Sequence, residues 1–426
     1  MMIKKHAWIV FLILSFKAQA QYKPDVIVLG SSIAGAATAI QTARSGVKTL
    51  LIDTSKTFMQ GKNPSLDVPA FHFGLFKEWK EAYKKANDSV PTTEKAILEK
   101  IVRNTKSLDY LNGIQITSIT NKKGTWVLKL LINGKTEEIK CKALVDASAD
   151  LKTSFIAENN IINFDKNGNY LSLISFNKTD QELPYQQLQK IYRTSGAAGF
   201  GVDSTNLFTV PLGIFIPKEK ENLLIVSPSA FKGFNADELQ NTALWVNIGQ
   251  AVGALAAYGP FFNTTPSKAS IRITQGEMFT YKSFLYPILD VKINDYAWYP
   301  IQKVITSGLL KLDFEKGLFY PEEAVKIEDI KAILSELYPR SRIWFIENKA
   351  VTVLSVKDVI SAISFTTGRD AISVTQELEA DWKSKYKFTS VFADDKIINK
   401  KEMAVLLDAY LSPFNIGVDF NGNFIR

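Results

Sequence analysis

Apolar residues fall in short blocks along the first half of the chain, and the period of each block indicates an element. Val26-Ile27-Val28-Leu29 is continuously apolar and runs into Gly30, which predicts a buried strand leaving through a tight turn. From Ile33 through Ala36, Ala37, Ala39 and Ile40 to Ala43 the residues are small and apolar, as in a helix packed closely on a sheet. Val47-Lys48-Thr49-Leu50-Leu51-Ile52 predicts a second strand, closed by Asp53. Phe76, Trp79 and Tyr83 then recur at helical spacing. Ile97, Ile101 and Val102 mark the buried side of another helix, which Thr92 or Thr93 can cap.

Asn112-Gly113 breaks the helical pattern, and strands follow at about 114–119 and 126–131. Asn133-Gly134 predicts a hairpin turn, and a further strand runs through Ile139 into Ala143-Leu144-Val145-Asp146-Ala147. From about 160 to 205 the chain is polar and irregular, with Gly196 to Gly201 read as turns; this predicts an insert facing a substrate. Asn222 to Val226 is again a strand. A long helix then carries Trp245, Ile248, Gly249, Ala251, Val252 and Gly253, with Gly259-Pro260 as its stop. Beyond a linker of Thr264, Thr265, Pro266 and Ser267 the pattern is helical, and residues 414–426 read as a terminal strand or hairpin turning at Asn421-Gly422.

Strand, glycine turn, small-residue helix, second strand and acid, in that order, describe a nucleotide-binding βαβ unit. Gly30 permits the sharp turn and Gly35 lets the helix approach the sheet. The backbone of Gly30, Ser31, Ser32, Ile33, Ala34 and Gly35 is the candidate diphosphate cradle, at the positive end of the helix. Asp53, about 20 positions beyond the glycines, is the candidate acceptor for ribose hydroxyls. Ser32 stands where a second glycine is expected, and its hydroxyl is a candidate phosphate donor. Asp146 reads either as a structural acid or as a neighbour of the diphosphate.

Composition narrows the chemistry. The chain has 426 residues, enough for two or three domains. Met1-Met2-Ile3-Lys4-Lys5, an apolar run from Ala7 to Phe16, and Ala18-Gln19-Ala20 describe a signal peptide over residues 1–20. Export to the periplasm or cell exterior of a bacterium is the expectation, with the cofactor acquired afterwards. Formal charge is +8, partly from the leader lysines, and the remaining basic residues are dispersed. No nucleic-acid site is expected, and no membrane span. Cys141 is the only cysteine, so no internal disulfide forms; it reads as a core residue. Behind the leader His72 is the only histidine, which excludes a multi-histidine metal site. His72 is therefore the one imidazole available as a general base, a catalytic candidate, unless it is simply packed between Phe71 and Phe73. Tyr185, Tyr192 and Asn206 are candidates to line a substrate pocket.

Several stretches in order resemble an FAD-dependent oxidoreductase family, in its exported, xanthan-lyase-like branch. They are the Gly30 turn with Asp53, Gly74-Leu75-Phe76-Lys77-Glu78-Trp79, the strand and turn from Ala143 to Leu151, Ile216-Pro217 with Asn222 to Val226, and Gly249-Gln250-Ala251-Val252-Gly253. Residues 24–260 carry this resemblance. It implies an α/β fold: an FAD/NAD(P)-binding Rossmann-like domain over 21–262, a βαβ unit with a β-hairpin insert, followed by a mainly helical C-terminal domain. It also implies FAD as cofactor and Gly249 and Gln250 as contacts at a helix start near the flavin. Ser227-Pro228, Gln240, Ser148, Ala149 and the lone Gly61 depart from the family pattern.

Residues 285–413 resemble S-layer homology repeats. The first runs from Leu289 through Gly317-Leu318-Phe319-Tyr320-Pro321 to Ile330. A second copy uses Val356 to Ile363 as first helix and Asn399 to Tyr410 as second. Two readings follow. One is an exported FAD-dependent oxidoreductase acting on a small organic or carbohydrate-like substrate. The other is a catalytically degenerate scaffold that binds a cell-envelope polymer or protein through its C-terminal module.

Overall fold

The computed structural model describes residues 22–59, 71–148, 151, 170–174, 190–200, 207–228 and 241–425. The leader, Gly61, Ala149, Asp150, Tyr185, Asn206 and Gln240 lie outside them, as does most of the predicted insert.

The chain opens with β1 (Val26–Leu29), α1 (Ile33–Arg44) and β2 (Thr49–Ile52). After α2 (Gly74–Asn87) and α3 (Glu94–Asn104), β3 (Leu108–Leu111) joins the far side of β2. Thr93 caps α3 by accepting the Ala96 N–H at 3.1 Å. Then β4 (Gln115–Lys122), β5 (Thr125–Ile132) and β6 (Lys135–Cys141) form an antiparallel meander, and β7 (Ala143–Asp146) returns beside β1. The β5–β6 turn is made by Asn133 (φ 51°) and Gly134 (φ 75°), both left-handed, as a primed hairpin turn requires. A short pair, β8 (Ser195–Gly199) and β9 (Phe208–Pro211), precedes β10 (Leu223–Ile225).

β10, β7, β1, β2 and β3 form one parallel sheet in that order. Among its own strands this is the 3-2-1-4-5 succession of a Rossmann-like sheet, with a β-meander as the crossover from the third strand to the fourth. Alternate residues face opposite layers. Val26, Val28, Leu51 and Val145 enter the core shared with α1, and Ile27, Leu29, Leu50 and Leu144 enter a second core with Trp126, Leu128 and Ile139 of the meander. Burial on both faces explains why these strands are apolar without alternation. Asn222 stitches the meander to the sheet: its Nδ2 donates to Gly124 O at 2.7 Å and to Lys142 O at 2.8 Å.

Where Gly196 and Gly199 are read as turns, the structure has instead the buried strand β8; Gly201 lies outside the described residues. A Cβ on Gly199 would lie 2.2 Å from the Phe208 ring, and one on Gly196 2.5 Å from Leu212. These glycines mark close packing.

α4 (Thr242–Phe261) and α5 (Ile271–Thr280) follow. α4 runs through Pro260 instead of stopping at Gly259-Pro260. Proline has a helical φ and forfeits one hydrogen bond, a modest loss in a last turn. The chain breaks away at Asn263 (φ 53°).

The C-terminal region is mainly helical: α6 (Trp298–Ser307), α7 (Ile327–Leu337), α8 (Ser341–Glu347), α9 (Val356–Thr367), α10 (Ala371–Ser384) and α11 (Lys400–Tyr410). The segments entering α7, α9 and α11 meet in a closed ring. Val325 N donates to Ile398 O, Leu354 N to Val325 O and Ile398 N to Leu354 O, at 2.9–3.1 Å. Each helix then opens in the same way: Asp329, Asp358 and Glu402 accept the backbone N–H of Lys326, Ser355 and Asn399. α9 is thus the counterpart of α7 and α11, not the first helix of a two-helix copy. An acid three residues beyond the cap marks all three starts. The tail turns at Gly422 (φ 78°), and Val418 bridges Phe424.

Candidate functional site: the carboxyl edge of the parallel sheet

The register places Leu29, Ile52 and Asp146 side by side, so the turns leaving β1, β2 and β7 share one edge. Ligands of open α/β sheets bind at that edge. Gly30 has φ 93°, and a Cβ on it would lie 2.9 Å from Ala147 O and Ser148 Cα. A Cβ on Gly35 would lie 2.1 Å from Gly30 O. Neither position has room for a side chain, which is why the turn needs glycine at both.

The serines between them are engaged with the protein. Ser31 N donates to Asp53 Oδ2 at 3.0 Å, and the Ser31 hydroxyl donates to the same oxygen. Ser31 Oγ also accepts the Met59 N–H at 2.9 Å. Asp53 Oδ1 accepts the Ser55 N–H at 2.8 Å. Ser32 caps α1: its Oγ accepts the Gly35 N–H at 3.1 Å and donates to Ala147 O at 2.9 Å. Its φ of −58° is open to any residue, so serine replaces the second glycine without backbone strain. The expected donation from Ser32 to a phosphate is therefore corrected, because that proton is committed to Ala147. The N–H groups of Ile33 and Ala34 find no acceptor among the described residues and lie at the positive end of α1. Two open N–H groups and a buried carboxylate at the end of the next strand fit the diphosphate and ribose of a dinucleotide.

Asp146 is fully buried, and its Oδ1 accepts both the N–H of Ser148 at 2.9 Å and the Ser148 hydroxyl at 2.5 Å. Of its two readings the structural one fits: it shapes the turn against which Gly30 packs.

Gly249 and Gln250 are not at a helix start. They lie in the interior of α4, whose N-terminus is capped by Asn241. A Cβ on Gly249 would lie 2.5 Å from Ala34 O, and one on Gly253 2.6 Å from Thr38 O. Small residues four apart let α4 lie directly on α1. Gln250 Oε1 accepts the Leu75 N–H at 3.0 Å and its Nε2 donates to Gln41 Oε1 at 3.1 Å. Its amide joins α1, α2 and α4. The motif holds the helix behind the turn.

His72 lies just before α2, half-buried, with its ring edge-on to Phe76 at 5.4 Å. Its neighbours do not sandwich it: Phe71 stacks on Phe200 at 3.4 Å and Phe73 on Phe284 at 3.7 Å. No described contact joins it to Ser31, Ser32 or Asp53. Tyr192 stacks on Phe314 at 4.2 Å, and its carbonyl accepts the Tyr286 hydroxyl.

One residue at this edge carries no signal in the sequence pattern. Tyr110 of β3 lies beside Ser31 and Asp53, and burial pushes its hydroxyl up to about 12. Cys141 lies in the meander core, where burial pushes the thiol far above its usual range. A thiol reagent such as DTNB should leave Cys141 untouched in the native protein and titrate one thiol after unfolding in guanidinium. No group of three or more His, Cys, Asp or Glu able to hold a metal occurs among the described residues, nor a helix long and apolar enough to cross a membrane.

The family model for pyridine nucleotide-disulphide oxidoreductases matches residues 24–163, which span β1 to β7. No curated protein matches. Among solved structures, a p-nitrophenol 4-monooxygenase from Pseudomonas putida shares 11% identity over 34% of this chain and 45% of its own, with a TM-score of 0.26. The anhydrotetracycline hydroxylase OxyS from Streptomyces rimosus shares 13% over 30% of this chain and 32% of its own, at 0.26. The thioredoxin reductase of T. acidophilum shares 15% over 30% of this chain and 36% of its own, at 0.21. This chain thus spans less than half the length of each. The parallel sheet and its helices thus have the Rossmann-like, dinucleotide-binding fold, and a mainly helical region follows it.

Proposed function

We propose that this chain is an exported FAD-dependent oxidoreductase acting on a small organic or carbohydrate-like molecule. The observation that carries this reading is the glycine turn from β1 to α1 with the Asp53 carboxylate drawn up to it, on a sheet whose crossover is a β-meander. The family match over residues 24–163 supports the same class. FAD, when bound, supplies hydride or electron transfer. The chain supplies its place: the Ile33 and Ala34 N–H groups and the α1 dipole hold the diphosphate, and Asp53 accepts a ribose hydroxyl. The apolar layers on both sides of the sheet keep water from the strands behind it. His72 is the residue assigned to proton transfer.

The purified protein should be yellow and release FAD on denaturation. Asp53→Asn should weaken FAD binding at least about tenfold, because it removes a charged acceptor. A second reading rests on the ring joining α7, α9 and α11: a scaffold without turnover that binds a cell-envelope polymer or protein. A colourless protein that takes up no added FAD and sediments with envelope fractions would overturn the first reading in favour of the second.

A further inference from the structure

We infer that the two serines of the glycine turn occupy, from within the chain, positions that a bound dinucleotide needs, so that FAD competes with contacts the protein makes to itself. This rests on the dinucleotide reading above and adds to it that binding is weak and exchangeable.

The argument is a count of hydrogen-bonding positions. An ionised carboxylate offers about four acceptor positions. In Asp53, Ser31 fills two on Oδ2, through its N–H and its hydroxyl, and the Ser55 N–H fills one on Oδ1. One remains, whereas a ribose presents two neighbouring hydroxyl donors. At the helix end, the first turn offers the N–H groups of Ile33, Ala34 and Gly35. The third is already accepted by Ser32 Oγ at 3.1 Å. A phosphate oxygen must displace that serine to reach it. Ser32 cannot compensate as a donor without leaving Ala147 O, 2.9 Å away. A glycine at 32 and a residue without a hydroxyl at 31 would leave every one of these positions to the ligand. The same serines hold Asp53, Met59 and the first turn of α1 in place by themselves, so the turn's geometry does not depend on the cofactor. A protein that takes up its cofactor after leaving the cytoplasm needs that property.

The test is calorimetric titration of FAD, ADP and 2′-deoxy-ADP into the full chain, wild type against Ser32→Gly and Ser31→Ala. Glycine replaces a serine cap at a cost of only a few tenths of a kcal/mol. Ser32→Gly should therefore melt near the wild type while binding ADP and FAD about tenfold more tightly, the equivalent of one hydrogen bond. Ser31→Ala should widen the preference for ADP over 2′-deoxy-ADP by a similar factor, as Asp53 gains a free position. Unchanged or weaker binding by Ser32→Gly overturns the inference and leaves the FAD assignment standing. If Ser31→Ala fails to fold, having lost the partner of the Met59 N–H, Ser32→Gly decides alone. Absence of binding by the wild type and both variants overturns the dinucleotide reading, and this inference with it.

Discussion

Replacing Gly249 with valine should lower the melting temperature by about 10 °C. The position is a point of close approach between α1 and α4, and an added Cβ would stand 2.5 Å from Ala34 O and 2.6 Å from Ala37 Cβ. The obstacle on one side is backbone in the first turn of α1, which cannot rotate out of the way. α4 must move, and with it the Gln250 amide that holds Leu75 and Gln41. Overpacking of this kind costs about 3 kcal/mol. For a domain of this size each kcal/mol is worth about 2–4 °C. Gly276→Ala in α5 is the matched control, because a Cβ there meets nothing within 4 Å. It should stabilise by up to about 1 kcal/mol through helix propensity. Differential scanning calorimetry of the two variants checks both signs. If Gly249→Val melts with the wild type, α1 and α4 are not in contact as described.

Arg272→Met should cost about 3–4 kcal/mol and free the C-terminal tail. Arg272 is buried at the start of α5, and its guanidinium reaches three other segments and a neighbour on its own helix. It donates to Ile416 O at 3.0 Å, Arg193 O at 3.2 Å, Gln275 Oε1 at 2.8 Å and Thr306 O at 3.1 Å. Methionine refills the volume but removes the donor to Thr306 O and Ile416 O and leaves Arg193 O with Gln275 Nε2 alone, each lost bond costing about 1–3 kcal/mol less what water recovers. Arg193 completes the clasp: it donates to Gly422 O at 3.1 Å, reaches Glu336 at 3.3 Å and lies over the Phe424 ring at 3.8 Å. The tail is thus pinned at two points by arginines from two other elements. Lysine is no substitute, since one ammonium cannot serve acceptors spread in a plane. In urea, Arg272→Met should show a lowered midpoint. Limited proteolysis should cut within 414–426 under conditions that leave the wild type whole. A variant with wild-type midpoint and protease resistance would show that the guanidinium contributes nothing to the join.

The glycine turn, the Asn133-Gly134 hairpin and the Thr93 cap were all legible in the chain, because each is decided within a few neighbouring residues. The apolar strands β1, β2, β7 and β10 were legible for a related reason, since burial on both faces leaves an unbroken apolar run. Where reading failed, a residue type had two uses that local pattern cannot separate. Glycine serves turns and close packing alike, so Gly196, Gly199 and Gly249 were misassigned. Serine in a glycine-rich turn serves ligand or protein alike, and only the positions of Ala147 and Asp53 show that Ser31 and Ser32 serve the protein.

By itself the sequence determined the class of the first domain, the two obligatory glycines of its turn, the acid that answers them and the helical character of the C-terminal region. Only the tertiary structure decided that α4 lies on α1 through Gly249, that Arg272 and Arg193 hold the tail, and that three helix starts close into one ring. Turns, caps and strand periods are set by sterics and hydrogen bonds between near neighbours. The other features are contacts between residues far apart in the chain, and they exist only once the sheet has brought both partners to the same place.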